Sequence, residues 1–228
     1  MSLIEVKSVA KKYGRHEVLK DVSFYANTGE CVGIVGANGC GKSTLLKILS
    51  GSIKPDSGSL VYDGADPLKN VKIFERLIGY VPQENPLMTQ LSVMDNLKFW
   101  YCDSSRSLKN DLINGAPAML GISTYADKRV DRLSGGQKKR LSIACALAKQ
   151  PPVLIMDEPG ASLDIVCKED IKNYLQRYMQ SGGTVILTSH EQTELELCSR
   201  MYLLKNGTMH ELDGHPGAAE LKSVIMGL

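Results

Sequence analysis

CVGIVGANGCGKSTLLKILSG, residues 31–51, decides the fold. CVGIV (31–35) reads as a short buried strand, and STLLKILSG (43–51) reads as a helix that Gly51 stops. Between them GANGCGKST (36–44) satisfies G-x-x-x-x-G-K-[ST]. Glycines let a backbone wrap closely around phosphates, with its N–H groups turned inward. In such a loop Lys42 reaches the β- and γ-phosphates, and the Ser43 hydroxyl suits Mg²⁺.

Outward from this stretch the pattern alternates strand with helix. Ile4 and Val6 alternate with polar neighbours, VSF (22–24) follows a turn near Gly14, and DSGSLVYDG (56–64) holds a further strand. LIGYV (77–81), PVLIMDE (152–158), TVILTSH (184–190) and MYLLK (201–205) are strand-like, with a helix over roughly 164–180. After Pro82 the chain becomes mostly helical. SVMDNLKFWY (92–101) opens with a capping-box spacing, a second helix covers much of 106–120, and a third runs from about Ser134 to Lys149. PGAAELKSVIMGL suggests a last helix beginning near Pro216. This order predicts a mostly parallel α/β core over 1–84 and 150–228, with a helical lobe inserted at 85–149.

Composition excludes several classes. The 228 residues are 43% apolar and 23% charged, ordinary for a globular protein. A net charge of +2 makes no electrostatic case for nucleic acid. VLIM (153–156) and ACALA (144–148) fall far short of a membrane span, and MSLIEVKSV lacks the layout of a secretory signal. A cytosolic chain is therefore expected. Six cysteines at 31, 40, 102, 145, 167 and 198 include no CxxC pair, which points to free thiols rather than a zinc site or a disulfide framework. The basic run Lys138–Arg140 reads as a solvated helix face.

Two further stretches carry chemistry. Asp157 ends the apolar run VLIM, at the carboxyl end of a strand, where α/β sheets bind ligands. Asp157 suits the metal and Glu158 a water approaching the γ-phosphate, since neighbours on a strand point to opposite sides. LSGGQKKRLS (133–142) opens a helix with a serine and two glycines, a second anion-binding terminus in one chain.

Together these residues resemble the ATP-binding subunits of ABC transporters, over nearly the whole chain and in the family's order. The resemblance implies a P-loop NTPase fold with a RecA-like, mostly parallel sheet, an N-terminal antiparallel β subdomain and an inserted helical subdomain. It implies an ATPase that uses Mg²⁺. ATP would be held by Gly36, Ala37, Asn38, Gly39, Cys40, Gly41, Lys42, Ser43 and Thr44, with Tyr13 of KKYGRHEVLKDVSF stacked on adenine. Glu158 matches the catalytic carboxylate, His190 the switch histidine and Gln83 of GYVPQ the glutamine linking Mg²⁺ to the helical lobe; Ser43, Gln83 and Asp157 would form the metal set. Leu133, Ser134, Gly135, Gly136 and Gln137 match the signature that acts on the nucleotide of a facing subunit. Asp164 matches the D-loop aspartate, although Ser162 stands where many relatives carry glycine or alanine.

The implied partners are a second ATP-binding subunit, a copy or a paralogue, and separate transmembrane permease subunits that hold the chain at the cytoplasmic membrane face. ENPLMTQLSVMDNLKFW (84–100) is the expected permease contact, with Phe99 and Trp100 either part of it or core. Cys40 lies at a helix N-terminus, where a lowered thiol pKa and ready alkylation are expected. An ABC-type ATPase of translation, DNA repair or chromosome organisation is the rival, but Leu133 follows Gly36 by 97 positions, which leaves room only for a small lobe. The chain runs a short way past MYLLK, without room for the regulatory domain of some importers. Neither cargo nor direction of transport is fixed by these residues.

Overall fold

The computed structural model describes residues 2–161, 163–214, 216–217, 221, 223 and 225. Apolar alternation in the first 27 residues builds a long hairpin, β1 (Ser2–Tyr13) and β2 (His16–Asn27), turning at Gly14. β3 (Cys31–Val35) and α1 (Lys42–Leu49) follow, with Gly51 at φ +75° in the left-handed conformation that ends the helix. Next come β4 (Ser57–Tyr62), α2 (Lys72–Leu77) and β5 (Ile78–Val81).

The helical stretch holds α3 (Val93–Tyr101), α4 (Leu108–Asn114), α5 (Ala116–Met119) and α6 (Gly135–Ala146), with 3₁₀ turns at Ile122–Tyr125 and Val130–Arg132. The single helix expected over 106–120 is two, because Pro117 cannot donate to a preceding turn and the chain breaks at Gly115. Ser92 caps α3 as its spacing predicts, accepting from the Asp95 N–H at 3.0 Å. Asp95 is too short to close a full capping box, and its carboxylate accepts from the Ser92 hydroxyl at 2.6 Å instead. The chain continues through β6 (Val153–Asp157), α7 (Ile165–Gln180), β7 (Thr184–Thr188), α8 (Gln192–Leu195), β8 (Arg200–Lys205) and β9 (Thr208–Leu212). The helix expected from Pro216 lies largely outside the described residues, as does Ser162.

The strands form one nine-stranded sheet among the described residues, ordered β4-β1-β2-β9-β8-β3-β7-β6-β5. β8, β3, β7, β6 and β5 run parallel, and β1, β2 and β4 are antiparallel. The antiparallel part joins the core through one parallel bridge, Asp21 to Thr208. Central strands read as unbroken apolar runs because both faces are covered. Val153, Ile155 and Ile186 pack with α1, α2 and the N-terminal strands. Their neighbours Leu154, Met156, Val185 and Leu187 pack with α3, α6 and α7. The helical stretch therefore shares a continuous apolar core with the sheet.

Candidate functional site

The register brings three strand ends to one edge. Thr188 lies opposite Ile34 of β3 on one side and Asp157 of β6 on the other, so the glycine loop, Asp157 and the TSH segment leave the sheet at the same level.

The loop between β3 and α1 needs its glycines. A Cβ on Gly36 would lie 2.5 Å from the Leu204 carbonyl oxygen, and Gly41 holds φ +111° with Val18 Cγ1 2.8 Å from where its Cβ would stand. Gly41 caps α1 without a side-chain bond, so the first-turn N–H groups are left for a ligand. Lys42 is buried and donates to the carbonyls of Gly36 at 2.7 Å and Ala37 at 3.2 Å, which holds its ammonium in the mouth of the loop. Ser43 and Thr44 are half-buried at the start of α1, while Ala37, Asn38 and Gly39 are exposed at the rim. Tyr13, 51% exposed, ends β1, with Lys11 Nζ 5.9 Å from its ring centroid. Cys40 corrects the expectation of an activated thiol: it is half-buried, and desolvation raises its pKa against the opposing pull of Lys42.

Asp157 is buried and accepts from the Thr188 hydroxyl at 2.7 Å. Glu158 is already beyond the strand, at φ +46°. A backbone turn, not pleat alternation, separates the two acids. The Glu158 N–H donates to the carbonyl and hydroxyl oxygens of Thr188, both at 3.1 Å, and this fixes the turn. Its carboxylate accepts from Gln83 Nε2 at 3.2 Å and stands 3.6 Å from His190 Nε2. Gln83, Glu158 and His190, remote in sequence, thus converge.

Leu133 to Gln137 share no hydrogen bond or ion pair with this cluster among the described residues. Ser134 caps α6, accepting from the Gln137 N–H at 3.2 Å while Gln137 Oε1 accepts from the Ser134 N–H at 3.1 Å. Leu133 is buried, but Ser134 and Gly135 face solvent, and the bonds of this turn run within α6 rather than to residues 36–44. Gly136 packs closely, since a Cβ there would stand 3.0 Å from Cys167 Sγ. Asp164 caps α7, accepting from the Cys167 N–H at 2.8 Å.

Three residues escape the sequence reading. Lys138–Arg140 is not a solvated face: Lys139 is buried and donates to the carbonyls of Pro82 and Gln83, each at 3.2 Å. Arg140 pairs with Asp170 at 2.7 Å and donates to Cys167 Sγ at 3.4 Å. Burial lowers the Lys139 pKa, against the attraction of Asp157 and Glu194. Glu194, also buried, accepts from the Ser189 hydroxyl at 2.5 Å, packs against Gly160, and has its carboxyl pKa raised by burial. Thr188 is the third, bracing both acids. Lys139 and Thr188 lie inside stretches quoted for other residues and Glu194 in none, and only tertiary contact identifies their roles.

Among the described residues no cluster of three or more His, Cys, Asp or Glu makes a protein metal cage. The oxygens present, the Ser43 hydroxyl and the buried Asp157 carboxylate, fit a cation that keeps water and phosphate ligands, as Mg²⁺ does.

Comparison with known proteins identifies the family. The family model described as ABC transporter matches residues 19–161. The chain belongs to the ABC transporter family. The cassette is 36% identical over 217 residues to the spermidine/putrescine import ATP-binding protein PotA of Mycoplasma mycoides subsp. mycoides, covering 92% of this chain but 61% of PotA. It is 33% identical over 228 residues to the probable sulfate/thiosulfate import ATP-binding protein CysA of Chlorella vulgaris, covering 95% of both chains. Among solved structures, the ATP-binding cassette MJ0796, a dimeric post-hydrolysis state bound to ADP and Pi, superposes with a TM-score of 0.81 at 29% identity over 92% of this chain and 99% of that one. The cassette cbiO1 from Clostridium perfringens, part of the transporter complex cbiONQ, gives 0.80 at 29% identity over 99% and 91%.

Proposed function

We propose that the cassette hydrolyses ATP to ADP and phosphate, and that ATP-driven closure of a head-to-tail pair of cassettes powers transport through separate membrane subunits. The convergence of Gln83, Glu158 and His190 beside the lysine loop carries this reading. Lys42 and the loop N–H groups bind and orient the phosphates, and in-line attack needs little more than position and charge. Mg²⁺, when bound, supplies charge neutralisation on the phosphates and would be held by Ser43, Asp157 and Gln83. The Glu158 carboxylate takes the proton of the attacking water, while Gln83 and His190 hold that carboxylate from two sides.

In the pair, the exposed Ser134–Gly135 terminus of one cassette contacts the γ-phosphate held by the other. ATP then favours the closed state by its contacts with both chains, as a driven conformational change requires. MJ0796, a relative solved as a dimer, supports this assembly. Residues 85–149 form the lobe that passes the motion on. Its segment 84–100 docks the permease, where Phe99 is 58% exposed and Trp100 packs partly against the core. No helix among the described residues is long and apolar enough to cross a membrane. In this proposal separate permease chains supply the pathway and hold the cassette at the cytoplasmic face. The relatives differ in their named cargo, polyamine or sulfate, so the shared element is the cassette.

Glu158→Gln tests the proposal. It should bind ATP within about twofold of wild type while kcat falls roughly 10²–10⁴-fold, the range for a lost general base. Turnover within threefold of wild type, taken as a rough limit, would overturn the role of Glu158.

A further inference from the structure

We infer that Lys139 is a positioning residue that ties the signature helix α6 to the Gln83–Glu158 contact of its own chain, acting through Gln83. The inference rests on the roles proposed above for Gln83 and Glu158. Lys139 lies five residues past Ser134 on α6, yet its ammonium is buried 3.2 Å from both the Pro82 and Gln83 carbonyl oxygens. The same Gln83 extends its carboxamide to Glu158 at 3.2 Å. One residue is thus held by its main chain from α6 and by its side chain from the base.

Stability does not explain this ammonium. Removing a lysine from water is costly, and a buried charge can often be exchanged for an apolar side chain of similar size without loss. Its neighbours do not share the contact: Arg140 is engaged with Asp170, and Lys138 is only half-buried. What the ammonium does is fix two carbonyls at the point where the chain leaves β5 for the helical stretch. A shift of the Gln83 carbonyl carries its carboxamide off Glu158, and misplacement by about 1 Å can cost ~10²-fold in rate. Conversely, a displacement of α6 when its terminus meets a partner's nucleotide is delivered to Gln83 through Lys139. The lysine loop has its own supports, so ATP binding is independent of this link.

The test is a double-mutant cycle on the full chain, using Lys139→Met, Gln83→Ala and the double variant, with affinity read from a fluorescent ATP analogue. Lys139→Met should lower kcat about tenfold or more with the affinity within about twofold, the size expected for a group orienting a reacting residue. In the Gln83→Ala background the same change should alter kcat by less than about twofold, because the path through Gln83 is already cut. Multiplying losses, or a kcat for Lys139→Met within about twofold of wild type, would overturn the inference. If Lys139→Met loses ATP binding or helical circular dichroism, the cycle is run with Lys139→Leu, which also removes the donor, under the same criteria. A wild-type chain that turns over no ATP would overturn the proposed function itself, a result separate from the cycle.

Discussion

Asn96 holds the start of the helical stretch that follows Gln83, and its removal has a calculable cost. The side chain is fully buried: Oδ1 accepts from the Met88 N–H at 2.9 Å, and Nδ2 donates to the Met88 carbonyl at 3.0 Å and the Ser92 carbonyl at 2.9 Å. In Asn96→Leu the Met88 carbonyl keeps a bond from the Leu91 N–H, and the Ser92 carbonyl keeps the helical bond from residue 96. The Met88 N–H loses the only acceptor described for it, a cost of about 1–3 kcal/mol. The two lost donor bonds add roughly 1 kcal/mol each, and the apolar gain of a buried leucine offsets part of the sum. The expected loss is about 3 kcal/mol. With a urea slope of about 3 kcal/mol/M for a chain this size, the midpoint should fall by about 1 M. Trp100, the single tryptophan, sits on the same helix and reports the transition by fluorescence. Asn96→Asp should be at least as damaging, because a carboxylate would face two carbonyls. A midpoint shift below about 0.2 M for Asn96→Leu would refute the reasoning.

Other outcomes follow from the same contacts. Asp111 accepts from Arg106 and from the Tyr101 hydroxyl, and the Arg106 bonds hold its carboxyl below the usual carboxylate range. The stability it contributes is present above the unfolded pKa of about 3.9 and is lost as pH falls through the native value, so urea midpoints should drop more steeply in acid for wild type than for Asp111→Asn. At pH 7 Asp111→Asn should cost about 2 kcal/mol. Cys40, its pKa raised by burial, should react with a bulky maleimide more slowly at pH 7 than exposed Cys102, and ATP should protect it further; equal labelling with and without nucleotide would contradict its place in the loop. Ser134→Arg should keep ATP affinity within about twofold yet lose hydrolysis, measured by equilibrium binding and phosphate release.

Much of this fold was legible because its decisive strands are apolar runs ending in chemistry. CVGIV is β3, PVLIMDE overruns β6 by one residue at each end and TVILTSH overruns β7 by two, and their common edge follows from parallel register. β9 was missed because its side chains are half-buried or exposed at best, so its sequence lacks the apolar signal of a core strand. α2 and α8, six and four residues long, are too short to display a helical period. The basic run at 138–140 misled because sequence gives charge but not the neighbour that α6 meets; Lys139 faces the carbonyls at 82–83, not water. At Cys40 the rule for helix termini lost to desolvation. The separation of Asp157 from Glu158 was correctly expected, but the positive φ of Glu158 produces it.

The central claim is that each catalytic site is built from two chains, and complementation between two damaged cassettes tests it most directly. Lys42→Ala removes the lysine of one loop, and Ser134→Arg blocks one signature terminus, so neither variant alone can form an intact site. A mixed pair restores one, from the loop of the Ser134→Arg chain and the terminus of the Lys42→Ala chain. Equal mixing should recover about a quarter of wild-type ATP turnover if copies pair at random. A mixture no more active than its separate components, under conditions where the wild-type chain hydrolyses ATP, would contradict the account.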